Sequence, residues 1–300
     1  MHKILSGIWK CITFPLRALW WVLALPLRAF RSAKHFMQAE PDEHPLAEVV
    51  ADLAQSSESR AIFWGQVEAL RGHLLRSVLA VVCGVGVAFF FNQPLIAYLA
   101  EPVGGLDSLR AIEVTESVSV FMKVALLAGL AIALPYVAFE FWLFAAPGLR
   151  PRERRYGLIG IPLAGIFFVG GMAFTYYMLL PSALPFLLNF LGIQAQLRPQ
   201  AYFNFITGLL FWIGTAFEFP LVIYVLSAIG LVKPKDLVRN WRFAVVIIAI
   251  AAAAITPTVD PVNMGLVMLP MTLLYFLSIV LSQMATSGRG RAERGRAATA

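Results

Sequence analysis

Apolar residues fall into six blocks along the chain, each bounded by prolines, glycines or clustered charge. They cover residues 74–91, 118–144, 157–180, 205–229, 243–255 and 264–281. Most approach or exceed the roughly 20 residues that carry a helix across a bilayer core. The fifth is odd. Between Arg242 and Thr256 lie only about 13 apolar residues, roughly 20 Å of helix against a core of about 30 Å. Such a helix must thin the bilayer locally or sit shielded by its neighbours. The pattern predicts an all-α integral membrane protein with six transmembrane helices, the fifth and sixth short. No internal repeat is evident.

Composition agrees with that reading. The 300 residues are 59% hydrophobic and 14% charged, against about 25% charged in a soluble domain. The net charge is +7, and its placement matters more than its sum. Lys and Arg concentrate in cytoplasmic loops. They cluster before the first block (Arg60, Arg71), after the second (Arg150, Arg152, Arg154, Arg155), after the fourth (Lys233, Lys235, Arg239, Arg242) and in the tail (Arg289, Arg291, Arg294, Arg296). The alternate connections carry only Arg110 and Arg198, with Lys123 near a span end. Six spans with both termini cytoplasmic satisfy this bias. No phosphate loop, HExxH or GxSxG is present, so nothing points to an ATPase, a hydrolase or a metal site. Cys11 and Cys83 fit no metal or redox spacing, and no cofactor or nucleic-acid partner is implied.

Three regions make up the chain. Residues 1–60 form a basic amphipathic extension and an acidic linker. In 1–36, Trp9, Trp20 and Trp21 suit the headgroup level, with Lys3, Lys10 and Arg31 on anionic lipid. A targeting peptide or an additional span are the alternatives for that segment. Residues 61–285 hold the six spans. The tail 286–300, rich in Gly, Ala and Arg, is expected to be disordered and solvated.

Several polar residues interrupt the apolar pattern. Glu218, in "GTAFEFPLVIY", falls near the middle of the fourth block, where a charge costs roughly 2.5–3.5 kcal/mol. At helical spacing Asn204, Thr207, Phe211, Gly214 and Thr215 share its side. This stripe of small and polar residues suits a docking groove for a helix, internal or from a partner. Glu153 stands among four arginines in "GLRPRERRYG"; it is either part of a topology anchor or a carboxylate offered to a cationic peptide. Glu68 and Arg71 lead into the first span, with Arg71 and His73 at the interface. Glu140 and Lys123 lie in the second block, Glu140 near its cytoplasmic end and Lys123 able to snorkel outward. Asp260 sits in "TPTVDPVN", a proline-bounded turn.

In their order these pieces resemble the TatC family, the multispanning subunit of the twin-arginine, Sec-independent protein translocase. The carrying segments are "FEFWLFAAPGLRPRERR", "AFEFP" and "ITPTVDPVNMGLVMLP", with "EALR" before the first span. The resemblance covers about residues 61–285. It implies six helices in a concave, glove-like arrangement in the plasma membrane, and no enzymatic reaction. It implies a receptor that binds twin-arginine signal peptides of folded cargo at the cytoplasmic face. It implies docking of TatA/TatB-like single-span partners, assembly as a homo- and hetero-oligomer, and transport driven by the proton-motive force. By the resemblance, Glu68, Arg71, Phe144, Leu149, Glu153, Arg154 and Arg155 would bind the signal. Glu218, with Thr215, Asn204 and Thr207, would meet a partner helix. Pro102 would belong to the first external loop and Asp260 to the last external turn. Two positions depart from the family. Ala69 stands where a second acid is usual, with Glu68 one position early, and Phe276 follows Tyr275 where an acid is usual. A divergent scaffold that binds partner helices without reading twin arginines is the alternative reading.

Overall fold

The computed structural model describes residues 57–146, 151–188, 197–228, 230–256 and 261–297, with side chains of 57–63, 151–156, 159, 186, 187, 262, 263 and 287–297 outside the described set. Residues 1–56, and with them the predicted interfacial segment and most of the linker, also lie outside it. The described chain is helical throughout. Helix α1 is Ser57–Ala100, α2 Glu116–Ala145 and α3 Pro151–Phe174. A π-helical turn, Thr175–Leu179, continues α3 into α4, Leu180–Leu188. Then follow α5 (Pro199–Phe217), α6 (Phe219–Ala228), α7 (Pro234–Arg239), α8 (Trp241–Ile255) and α9 (Pro261–Ala297).

Among the described residues five stretches are long and apolar enough to cross a membrane: Trp64–Val103, Glu116–Ala145, Gly160–Pro185, Pro199–Ala228 and Met264–Thr286. Helix α8 is a shorter apolar helix of 15 residues, about 22 Å long at 1.5 Å per residue. Its shortness was legible in the sequence. The sixth span, also expected to be short, is not: it belongs to the long stretches, 23 residues from Met264 to Thr286, because the helix runs on past the apolar block at both ends. The large exposed side chains Phe90, Phe91, Phe243, Ile247, Ile250 and Leu273 are what a lipid solvent permits.

Three boundaries differ from the sequence reading. The first helix extends beyond its apolar block at both ends, because the amphipathic lead-in and the residues after Phe91 continue the same helix. The fourth block is two helices, not one. Pro220 lacks an amide hydrogen and its ring collides with the carbonyl four residues back, so α5 ends at Phe217 and α6 begins at Phe219. The tail, expected to be disordered, continues α9 to Ala297. A helix already nucleated adds residues cheaply, and the Ala, Arg and Glu of the tail are good helix formers.

Packing joins both neighbouring and distant helices. Helix α1 lies on α2, α2 on α3 and α5, α3 on α5, while α6 and α8 pack against α9. Two crossings bring backbones into contact. A Cβ at Gly129 would lie 2.5 Å from the Val85 backbone, and one at Gly84 would meet the Gly129 carbonyl oxygen. A Cβ at Gly171 of α3 would lie 2.8 Å from Gly214 of α5. With no hydrophobic drive between helices in lipid, such close approach supplies the dispersion contact that holds them. Around it lies a core of Val120, Val124, Phe168, Leu180, Tyr202, Phe203, Ile206 and Ile213.

Candidate functional site

The kink between α5 and α6 sets the first site. Glu218 caps α5, its amide bonded to the Thr215 carbonyl at 3.1 Å. Its carboxylate lies against the Phe168 backbone of α3, and its Oε1 is buried with no hydrogen-bond partner among the described residues. The stripe leading to it is divided rather than open along its length. Gly214 is buried against Phe168 and Gly171 of α3. Thr207 is buried, and its hydroxyl donates to the Phe203 carbonyl. Thr215 is exposed and donates to the Phe211 carbonyl at 2.8 Å. Asn204 is exposed, and its Oδ1 accepts from Lys123 of α2. Lys123 therefore reaches a partner on α5 instead of snorkelling outward. The glycine half of the stripe is an internal helix contact; the Asn204 and Thr215 edge faces out.

The second site lies at the end of the bundle where α2 passes to α3. Glu68 and Arg71 are exposed and paired with each other at 3.3 Å, one turn apart on α1. Phe144 is in the last turn of α2. Glu153, Arg154 and Arg155 fall in the first turn of α3, their side chains outside the described residues, and Leu149 lies outside them altogether. An acid in a first helical turn is favoured by the helix dipole. Between Phe144 and α1 the structure adds a group that the sequence reading did not assemble. The Glu140 carboxylate is 3% exposed. It takes His73 Nδ1 at 2.7 Å, Arg76 Nε at 3.2 Å and the Tyr136 hydroxyl at 2.7 Å. Tyr136 lies one turn before it, but His73 is 67 residues away, beyond any local pattern.

A second unforeseen cluster closes the opposite end. Arg198, just before α5, donates to Glu116 Oε1 at 2.6 and 3.0 Å and to Glu113 at 3.0 Å. Glu116 is fully buried at the start of α2. Its hydrogen bond, and then that of Glu113, push the Arg198 guanidinium further above its ordinary value. The Arg110 amide bonds the Leu197 carbonyl at 3.1 Å alongside. The sequence signal was present: Arg198 is one of two basic residues on that side of the chain. Pro102, also at this end, opens an exposed single turn, Glu101–Val103. Asp260 lies outside the described residues.

A chain of long, lipid-suited helices, with one short helix, acids held within the bundle and glycine-mediated crossings, is a multispan membrane protein. Residues 66–270 match the family model described as Sec-independent protein translocase protein (TatC). Among relatives, TatC of Deinococcus radiodurans is 36% identical over 80% of this chain and 92% of its own length. TatC of Aquifex aeolicus is 34% identical over 72% and 92%. TatCy of Bacillus subtilis is 31% identical over 72% and 86%. A crystal structure of the twin arginine translocase receptor TatC superposes with a TM-score of 0.63 at 33% identity, covering 74% of this chain and 99% of that one. A second, of TatC in the detergent DDM, gives 0.64 at 31% identity, with 72% and 99% covered. The chain belongs to the TatC family. It is a membrane-embedded component of a Sec-independent protein translocase, which works with other components of that system, and not an enzyme.

Proposed function

We propose that this protein is the receptor and core subunit of a twin-arginine translocase, with six spans and both termini cytoplasmic in the plasma membrane. The short helix α8 is the sixth span in this reading. In this reading the signal peptide is bound by Glu68, Arg71, Phe144, Leu149, Glu153, Arg154 and Arg155; the lysines and arginines around these positions in the sequence support this face being cytoplasmic. A carboxylate there receives guanidinium bidentately, which ammonium cannot match. TatA/TatB-like single-span partners dock at Glu218 and the outward edge of Asn204 and Thr215, beside Thr207. Export of folded cargo then draws on the proton-motive force.

The observation that carries the docking claim is Glu218 Oε1, buried with no hydrogen-bond partner among the described residues. Glu218 is half-buried as a residue, but a carboxylate oxygen shut away without a partner is costly, and intramembrane acids are functional by default. A polar group on an incoming helix would satisfy it. The test is recovery of a single-span partner with the detergent-solubilised protein. Glu218→Ala should weaken that recovery, and unchanged recovery would sink the docking claim.

A divergent scaffold is the second reading. It is favoured by Ala69, at the place of an expected acid, and by the pairing of Glu68 with Arg71. In that reading partner helices bind as above, but twin-arginine and twin-lysine signals are treated alike.

A further inference from the structure

Glu140 belongs to neither proposed site, yet its surroundings are highly organised. It is buried, and two of its partners, His73 and Arg76, lie one turn apart on α1. The acid therefore pins a full turn of α1 to α2. A carboxylate in such a place costs desolvation energy that a well-packed apolar side chain would not, so its gain must lie in geometry.

His73 transmits that geometry. Its ring stands edge-on to Phe144, with centroids 6.1 Å apart and planes at 66°. Its Nδ1 also lies 2.9 Å from Arg76 Nη2. One nitrogen cannot donate to a carboxylate and accept from a guanidinium at once. Pairing with the buried carboxylate takes the proton on Nδ1, and Arg76 then reaches Glu140 through Nε. The imidazole is so oriented from behind, and its edge seats Phe144, one turn beyond Glu140 on α2. The α1 segment bearing Glu68 and Arg71 begins within about two turns of the same anchor.

We propose that Glu140 is a positioning residue for signal recognition. Through His73 it seats the Phe144 ring, and through His73 and Arg76 together it fixes the α1 segment that carries Glu68 and Arg71. This rests on the receptor reading above.

The test uses the full chain in lipid nanodiscs and two labelled signal peptides that differ only in Arg-Arg against Lys-Lys. Glu140→Gln removes the charge at constant shape. His73→Phe keeps a ring and removes the donor, and it decides the matter should Glu140→Gln fail to fold. Each should weaken Arg-Arg binding about tenfold, the size of one lost charge-assisted contact. Lys-Lys binding should stay within about twofold in both, so the preference collapses. Glu140→Asp, which retains the charge, should recover part of the preference. Undiminished preference in both variants, or equal losses for the two peptides, would overturn the positioning role. Wild-type protein that binds both peptides alike would instead overturn the receptor reading, and the positioning role with it.

Discussion

The crossing of α1 and α2 gives a prediction whose size follows from the structure. Gly129→Ala places a methyl group 2.5 Å from Cα and N of Val85. Backbone atoms cannot swing aside as a side-chain end can. The helices must part by roughly 1 Å to reach ordinary contact, and that forfeits part of the dispersion energy along the seam. Overpacking of this kind costs about 1–3 kcal/mol. Alanine returns about 1 kcal/mol of helix propensity, so the effect of Gly129→Ala taken alone is blunted. Gly86, on α1 two residues beyond Gly84, removes the ambiguity. A Cβ there meets nothing within 4 Å, so Gly86→Ala gains the propensity term with no collision. The difference between the two variants isolates the crossing and should be about 1–3 kcal/mol. Reversible unfolding in mixed micelles of increasing SDS fraction, followed by tryptophan fluorescence, reads it as a gap between midpoints. Coincident midpoints, or Gly129→Ala the more stable, would refute the backbone contact of α1 with α2.

Two further outcomes are expected. Arg198→Met leaves buried Glu116 without its countercharge and should lower the unfolding midpoint, while adding Glu116→Met to the same chain should restore much of it; no recovery in the double variant would mean that Arg198 acts through Glu113 or the loop backbone. Glu153→Ala should reduce crosslinking to an Arg-Arg signal peptide more than to a Lys-Lys one. An equal loss for both peptides would return that loop to a role in topology alone.

What could be read from the sequence depended on how far apart the cooperating residues lie. The apolar blocks and the shortness of α8 are local properties, fixed by run length and its interruptions. The break at Glu218 was legible in principle from Pro220, whose missing amide and ring clash act within four residues. The pairings at Glu140 and Glu116 were not, although Arg198 stood out by itself as a rare basic residue on its side of the chain. Their partners stand 67 and 82 residues away, and only the antiparallel return of the chain brings them together. The same holds for the Asn204–Thr215 stripe. Helical spacing placed its members on one side, but only the seat of Gly214 against Gly171 divides the part that packs inside from the part that faces out. Lys123, the one basic residue in its apolar block, read as a snorkelling residue because Asn204 lies 81 residues away.

The central claim is tested most directly by export. The protein would be expressed, with the small single-span partners from its own source, in cells lacking their own TatC. A folded reporter would carry either Arg-Arg or Lys-Lys in its signal. The account predicts export of the Arg-Arg reporter alone. Stable insertion of the protein with neither reporter exported, or with both exported equally, would contradict it.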